Sequence, residues 1–399
     1  MKSNAQIISE NREWAIETLK KVDAKMSKVT LRSRDKLADG VDENHVHKDN
    51  IKEGKSSFWT GGFWGGMNAQ LYKYTGNEEY FKTLLSSEKL LDGALIDKYD
   101  VIHHDVGFMW MPTSGAIYQL TGSNDSRRRL FYAASTLMGR FIPGGNFIRA
   151  WNTAPSYDWT IIDTLMNLPL LYWASREFGD DRYKRVAMAH ADNALRCHLR
   201  PDGSIAHIVE HDRETGDVVT THGGQGYDVG TAWSRGQSWA LYGFALSYIH
   251  TGEERYLNAS KQVANYFIAA CADDFLPRLD FRAPSEPVYY DSTAAAIAAC
   301  GLLELGKLLP ENEGGMYTNA AIKFLRALTE NFADFNPETD DMIGYGSLSY
   351  PKEEKDMWRA HLSIIYGDSY YVDAIQLQRE RLFMAAEALC LTSSYHLIL

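Results

Sequence analysis

The chain is poor in cysteine, in concentrated positive charge and in long apolar runs, and each shortage removes a class of protein. Four cysteines in 399 residues, Cys197, Cys271, Cys300 and Cys390, form no CxxC pair. So few thiols in so long a chain do not make a disulfide framework, and they read as reduced core or surface thiols. The formal net charge is −11, and the densest basic run, SRRRLF at 126–131, is short. Without a basic patch, neither nucleic acid nor an anionic membrane is an expected partner. No apolar run approaches the ~18 residues that span a bilayer, and the apolar tail LCLTSSYHLIL is too short for an anchor. The segment MKSNAQIISENREWAIETLKKV carries charges at helical spacing in place of an apolar signal core, so the expected compartment is the cytoplasm.

What is abundant is apolar and aromatic surface, 45% and 12% of the residues, enough for one large core or two domains. A short pattern recurs at YTGNEEYF, LTGSNDSR, EFGDDRYK, HTGEERYL and IYGDSYYV, with a weaker instance at ELGKLLPENEGGMY. Each follows an apolar helical segment. Glycine supplies the left-handed residue that ends one helix, and the Asp, Glu or Asn after it favours the start of the next. The turn glycines are then Gly76, Gly122, Gly179, Gly252, Gly306 and Gly367. They predict six helical hairpins, with helices at 61–74, 79–91, 107–120, 127–139, 159–177, 181–198, 233–250, 255–271, 291–308, 318–332, 357–366 and 370–389. A further helix near 5–27 is expected to pack outside them. Hairpins of unequal length suit a closed ring better than an open array, so the expected fold is all-α, an (α/α)6 toroid formed by residues 1–399 as a single domain. The long stretch GSIAHIVEHDRETGDVVTTHGGQGYDVGTAWSRGQ alternates and turns at RETGD, which predicts a β-hairpin or long loop over one end of the ring.

Within TIIDTLMNLPLLYWAS, Asp163 interrupts what reads as the buried face of a helix, with Asn167 one turn on. A carboxylate removed from water needs a partner, a shifted pKa or a reaction that uses it. Asp105, in HHDVGFMW, precedes another apolar helix, and a capping role accounts for it equally well. HIVEH at 207–211 spells an inverted zinc-peptidase motif, but in an extended strand His207 and His211 stand roughly 13 Å apart, too far to share a metal. His45 and His47, in DENHVHKDN, have no third ligand at useful spacing and read as a solvated loop. SFWTGGFWGGM combines Trp59, Phe63 and Trp64 with four glycines, a pattern that serves either sugar stacking or tight helix packing. Trp151, Arg235, Gln237 and Trp239 follow in NFIRAWN and SRGQSWALYGF; Arg235 is either a structural ion pair or an anchor for an anion. Aromatics with a few Asp, Gln, His and Arg on a helical scaffold point to an acidic carbohydrate.

HHDVGFM, TIIDTLMNLPLLYWA, DGSIAHIVE and AWSRGQSWALYGF, in this order, resemble the unsaturated glucuronyl hydrolases of glycoside hydrolase family 88, over nearly the whole chain. The resemblance implies a six-hairpin toroid that removes the 4,5-unsaturated uronate left by polysaccharide lyases at the non-reducing end of oligosaccharides. It implies Asp163 as acid/base and Asp105 as a second essential aspartate. It places His207, Gln225 and Arg235 around the reacting sugar, with Trp59 and Trp239 lining the pocket, and calls for no metal or organic cofactor. Trp151 joins the substrate-binding set, and a monomer or weak homo-oligomer is expected. Some members that prefer sulfated units carry basic side chains near the final helix; IYGDSYYVDA has none, a departure that bears on sulfate preference. The alternatives are an unsaturated rhamnogalacturonyl hydrolase acting on pectin fragments, a sugar epimerase, which would want paired histidines, and a non-catalytic carbohydrate-binding toroid.

Overall fold

The computed structural model describes residues 2–376. Helices α1 (Asn4–Ser33), α2 (Phe63–Thr75) and α3 (Glu78–Asp97) are followed by α4 (Val106–Trp110) and α5 (Ala116–Thr121), which a π-helical stretch joins at Met111–Gly115. Then come α6 (Asn124–Met138), α7 (Leu168–Phe178), α8 (Asp181–Cys197), α9 (Ser234–Thr251), α10 (Glu254–Ala270), α11 (Ser292–Leu308), α12 (Glu311–Asn331) and α13 (Ile365–Ile375). The contacts run α2, α4 with α5, α7, α9, α11, α13 and back to α2, which closes an inner ring. Helices α3, α6, α8, α10, α12 and α1 form the outer one, each packed on inner-ring neighbours. Inner helices are buried on both faces, so α9 is buried without a break from Ser234 to Ser247. One continuous core runs through both rings, in which each fully buried Leu, Ile or Phe contributes ~1.5–3 kcal/mol.

Four of the six predicted turn glycines end helices as expected: Gly76, Gly122, Gly179 and Gly252 are left-handed, with φ of 71°, 70°, 64° and 72°. Asn77, Ser123 and Asp180 then cap the next helices through their side chains. The other two are corrected. Gly306 lies inside α11 and Gly367 inside α13. A Cβ on Gly306 would collide with Thr318, and one on Gly367 would fall 2.9 Å from Thr293 Cγ2, so both glycines serve close helix approach.

The predicted helix 357–366 is also absent. Residues 354–359 form a 3-10 turn, and extended backbone follows, bridged from Leu362 to Gly346 and from Ile364 to Gly40. The outer partner of α13 is α1, which closes the ring against α12 and α3. The predicted helix 370–389 corresponds to α13 up to Ile375, and its remainder lies outside the described residues.

Seven short strands sit at the ring ends: β1 (Ala38–Val41), β2 (His47–Asp49), β3 (Phe141–Ile142), β4 (Phe147–Ile148), β5 (Trp159–Ile161), β6 (Ile208–His211) and β7 (Val218–His222). The expected hairpin is β6–β7, turning through Gly216 at φ 72°, with β5 added antiparallel to make the order β5-β6-β7. Strand β5 corrects the predicted helix 159–177, which is strand, then a 3-10 segment at 162–167, then α7. The β-branched Thr160 and Ile161 favour a strand once β6 arrives to pair with them, and Pro169 is tolerated because it sits in the first turn of α7.

His47 is likewise corrected from solvated to buried. Its backbone N–H donates to Asp340 Oδ2 at 2.8 Å, and burial lowers its pKa to about 4. His45 stays exposed, 3.1 Å from Asp341. Among the described residues Cys197, Cys271 and Cys300 form no disulfide, and the Cys300 thiol donates to the Tyr370 carbonyl at 3.4 Å; Cys390 lies outside them. No helix among the described residues is long and apolar enough to cross a membrane. The arginines of SRRRLF are each paired: Arg127 with Glu177, Arg128 with Asp125, and Arg129 with Asp92 and Glu88.

Candidate active site

Asp163 sits in the 3-10 segment that leaves β5, and Asp105 directly precedes α4. The two segments meet through Asn167. Its Oδ1 accepts from Phe108 N–H at 2.9 Å, while Nδ2 donates to Asp105 Oδ1 at 3.1 Å and to the Asp163 carbonyl at 3.3 Å. Gly107 permits this approach, since a Cβ there would stand 2.7 Å from Asn167 Cα. Asp105 precedes a helix but makes no side-chain capping bond, so the capping reading is not what the structure supports. Burial pushes the Asp105 carboxyl well above the usual range, and the Asp163 charge adds to the effect.

Asp163 is itself pushed up to about 7 by burial, against the opposing pull of Arg235. Its side chain is 13% exposed, and Oδ1 has no hydrogen-bond partner within the protein. Facing it at 3.9 Å is His207 Nε2, also without one. The Gln225 backbone N–H donates to His207 Nδ1 at 3.1 Å. The same Nδ1 lies 3.2 Å from the Gly223 carbonyl, so this turn holds the ring with Nε2 toward Asp163. Burial lowers the His207 pKa to about 3, so the ring is neutral. Gly224, at φ 57°, makes room for it: a Cβ there would collide with Nδ1.

Arg235 fits the ion-pair reading. It is fully buried, with Nη1 on Asp291 Oδ2 at 2.6 Å and on the Ser347 carbonyl, Nη2 on the Leu348 carbonyl at 2.9 Å, and its guanidinium 4.4 Å over the Trp233 ring. The Gln225 side chain donates to the same Leu348 carbonyl at 2.8 Å, so both residues brace the 347–348 loop beside the site.

Trp59 is half-buried and packs on Phe63, Phe108 and Tyr366. Trp239 is fully buried beneath them, against Phe108, and supports the floor without offering a face. Trp64 is core, donating from Nε1 to the Ser33 carbonyl at 3.1 Å. Cβ atoms on Gly62 and Gly65 would strike the backbone of Phe108 and the side chains of Ser87 and Thr113, so these glycines serve packing. Trp151 is half-buried, edge-on to His104 at 6.0 Å. Gln237 is buried away from the site and ties α9 to the Gly203 carbonyl at 2.5 Å.

His103, His104 and Asp105 bring donor atoms within 4.8 Å of one another. His104 Nδ1 is engaged by Thr164 Oγ1 at 3.0 Å and Asp105 Oδ1 by Asn167, while His103 Nδ1 has no hydrogen-bond partner. His207 and His211 belong to different surroundings: His211 Nε2 meets Thr160 Oγ1 at 2.8 Å. Residue-by-residue reading of the sequence overlooked the clamp role of Asn167, the His104–Thr164 contact and Asp291; only the paired glycines of THGGQG advertised the tight turn at Gly224.

Residues 26–274 match the family model described as Glycosyl Hydrolase Family 88. The chain is 36% identical over 338 residues to the unsaturated glucuronyl hydrolase of Bacillus sp. strain GL1, covering 81% of this chain and 86% of that protein. It is 33% identical over 330 residues to the unsaturated chondroitin disaccharide hydrolase of Streptococcus pneumoniae, covering 79% and 81%. The crystal structure of the Bacillus sp. GL1 enzyme, described as responsible for glycosaminoglycan degradation, superposes with a TM-score of 0.83 at 31% identity, over 91% of this chain and 98% of that one. Two aspartates clamped together through Asn167 in an α/α toroid thus sit within a match that spans most of the chain, which belongs to glycoside hydrolase family 88.

Proposed function

We propose that this enzyme removes a 4,5-unsaturated uronate from lyase-generated di- or oligosaccharides by hydrating the double bond, with Asp163 as acid and then base. The substrate is a vinyl ether. Protonation at carbon 4 leaves positive charge shared by carbon 5 and the ring oxygen, water adds at carbon 5, and the resulting hemiketal opens and expels the leaving sugar. The group that donates the proton must hold it near neutral pH and then recover one from water. Asp163 suits both steps, its carboxyl being pushed up to about 7 by burial. The observation that carries the reading is its unpartnered Oδ1 facing the unpartnered His207 Nε2 across 3.9 Å, a gap that a reacting water or sugar oxygen bridges.

Asp105, held as an acceptor by Asn167, stabilises the charge that develops at carbon 5. Trp59 and Trp151 border the sugar, Trp239 backs it, and Gln225 and Arg235 act through the 347–348 loop. The chain 1–399 works as one catalytic domain, monomeric or weakly associated, in the cytoplasm on imported fragments; its net charge of −11 disfavours capture of long polyanions. Sedimentation and cell fractionation test those last points. The central test follows loss of the ultraviolet absorbance of unsaturated disaccharides in oxygen-labelled water, read early in the reaction. Label at carbon 5 is expected; label at the anomeric carbon would mean direct glycosidic hydrolysis.

A further inference from the structure

We propose that Asn167 is a positioning residue for this reaction: its buried amide clamps Asp105 to the turn that carries Asp163 and keeps the Asp105 carboxyl a hydrogen-bond acceptor. The inference rests on the reading of Asp163 and Asp105 as the working pair.

The geometry fixes which way the amide points. Phe108 N–H can only donate, so the Asn167 atom 2.9 Å away is the oxygen. The NH2 group is thereby aimed at two acceptors, Asp105 Oδ1 at 3.1 Å and the Asp163 carbonyl at 3.3 Å. Asn167 is fully buried, and Gly107 presses against it so closely that a Cβ would lie 2.7 Å from both its Cα and its Oδ1. The amide therefore has no alternative orientation, and it touches no solvent from which a substrate could approach. One side chain sets the spacing of two carboxyls from segments nearly sixty residues apart in sequence.

It also biases their protons. Around Asp105 stand His103 Nδ1 at 3.4 Å and His104 Nδ1 at 3.3 Å, both rings held neutral by burial, with Arg140, Tyr370 and Asp163 acting at longer range. Asp163 faces Arg235 and His207. Burial and the Asp163 charge push Asp105 toward its protonated form, while the Asn167 hydrogen bond and Arg140 oppose them. Donation reaches the Asp105 side chain and only the backbone of Asp163, so the clamp opposes protonation of Asp105 and leaves the Asp163 carboxyl free.

Two variants test this. Asn167→Leu keeps the size and has no donor at any pH. Asn167→Asp keeps the shape; ionised, it repels Asp105, but protonated it restores both the acceptor for Phe108 and the donor for Asp105. The expected result is a kcat loss of about 10- to 100-fold for Asn167→Leu at every pH, with KM little changed. Asn167→Asp should show a similar loss near about pH 8, and its kcat relative to wild type should rise as the pH falls toward about 5. Melting curves across the same range identify the folded variant at each point, and the protonated Asp side chain keeps the two contacts that matter. A flat ratio for Asn167→Asp, an equal rise for Asn167→Leu, or losses in both that merely follow a lower melting temperature would overturn the proposal. Wild-type enzyme that leaves unsaturated uronyl disaccharides unconverted would instead overturn the functional reading beneath it.

Discussion

Two regions bury aspartates, and they treat them oppositely. Near the ring seam, Asp340 is 1% exposed and fully employed: Arg32 Nε donates to it at 2.5 Å, His47 N–H at 2.8 Å and Ser33 Oγ at 3.4 Å. Although burial alone would raise its pKa, those donors hold it below the usual value. The Asp163 side chain is 13% exposed, one of its oxygens is buried without a partner, and its pKa stands at about 7. Asp368 separates the two effects. Burial raises it to about 7 as well, but it accepts from Ile343 N–H at 2.7 Å and Met342 N–H at 3.3 Å, so nothing is left over for chemistry. A shifted pKa marks burial; an unpartnered oxygen facing an unpartnered nitrogen of a neutral histidine marks a site.

The comparison breaks first at Asp163→Asn, which keeps the shape and cannot transfer a proton. Substrate should still bind, and turnover should fall by roughly 10²- to 10⁴-fold in the absorbance assay. Removing the fully bonded partner tells the complementary story: Asp340→Ala should cost about 1–3 kcal/mol in denaturant unfolding, because the buried His47 N–H loses its acceptor, while the kcat of folded protein stays near wild type. Asp105→Asn should remain folded and lose at least about tenfold in kcat, whereas a helix cap would tolerate Asn almost unchanged.

The smallest effect concerns stability against pH. The folded-state pKa of Asp163, about 7, lies above its ordinary value of 3.8, so the folded state holds this proton more tightly than the unfolded chain does. Its contribution is full below about 4 and is lost as the pH rises through about 7. Asp163→Asn escapes that loss. Its melting temperature relative to wild type should therefore climb by a few degrees from about pH 4 to about pH 8, and a flat difference would mean an ordinary carboxyl.

The hairpins were legible in sequence wherever a glycine had to be left-handed, as at Gly122 and Gly179, because that demand is local. Gly306 and Gly367 looked the same on paper and meant something else, since close approach between helices is decided by what lies across the interface. Residues 159–162 were misread for a similar reason. Their partner strand begins at Ile208, and no local pattern announces a pairing that distant. Asp163 stood out because a charge among apolar residues is conspicuous in any conformation. Asn167 did not, because a neutral amide beside a carboxylate reads as ordinary helix until Phe108 and Asp105 are seen to close on it.

The first helix and the last inner helix are neighbours in the finished ring, where α1 packs against α12, α3 and α13. Ribosomes add about 5–20 residues per second, so α1 emerges roughly tens of seconds before α13 exists to complete its surroundings. Throughout that interval Leu19, Val22, Met26 and Val29, all buried in the closed ring, have no complete partner surface. The apolar face of α1 is therefore fully covered only once the last inner helix has been made. Trimming α1 as an appendage would remove a stave from the barrel, leaving an open ring with an apolar edge.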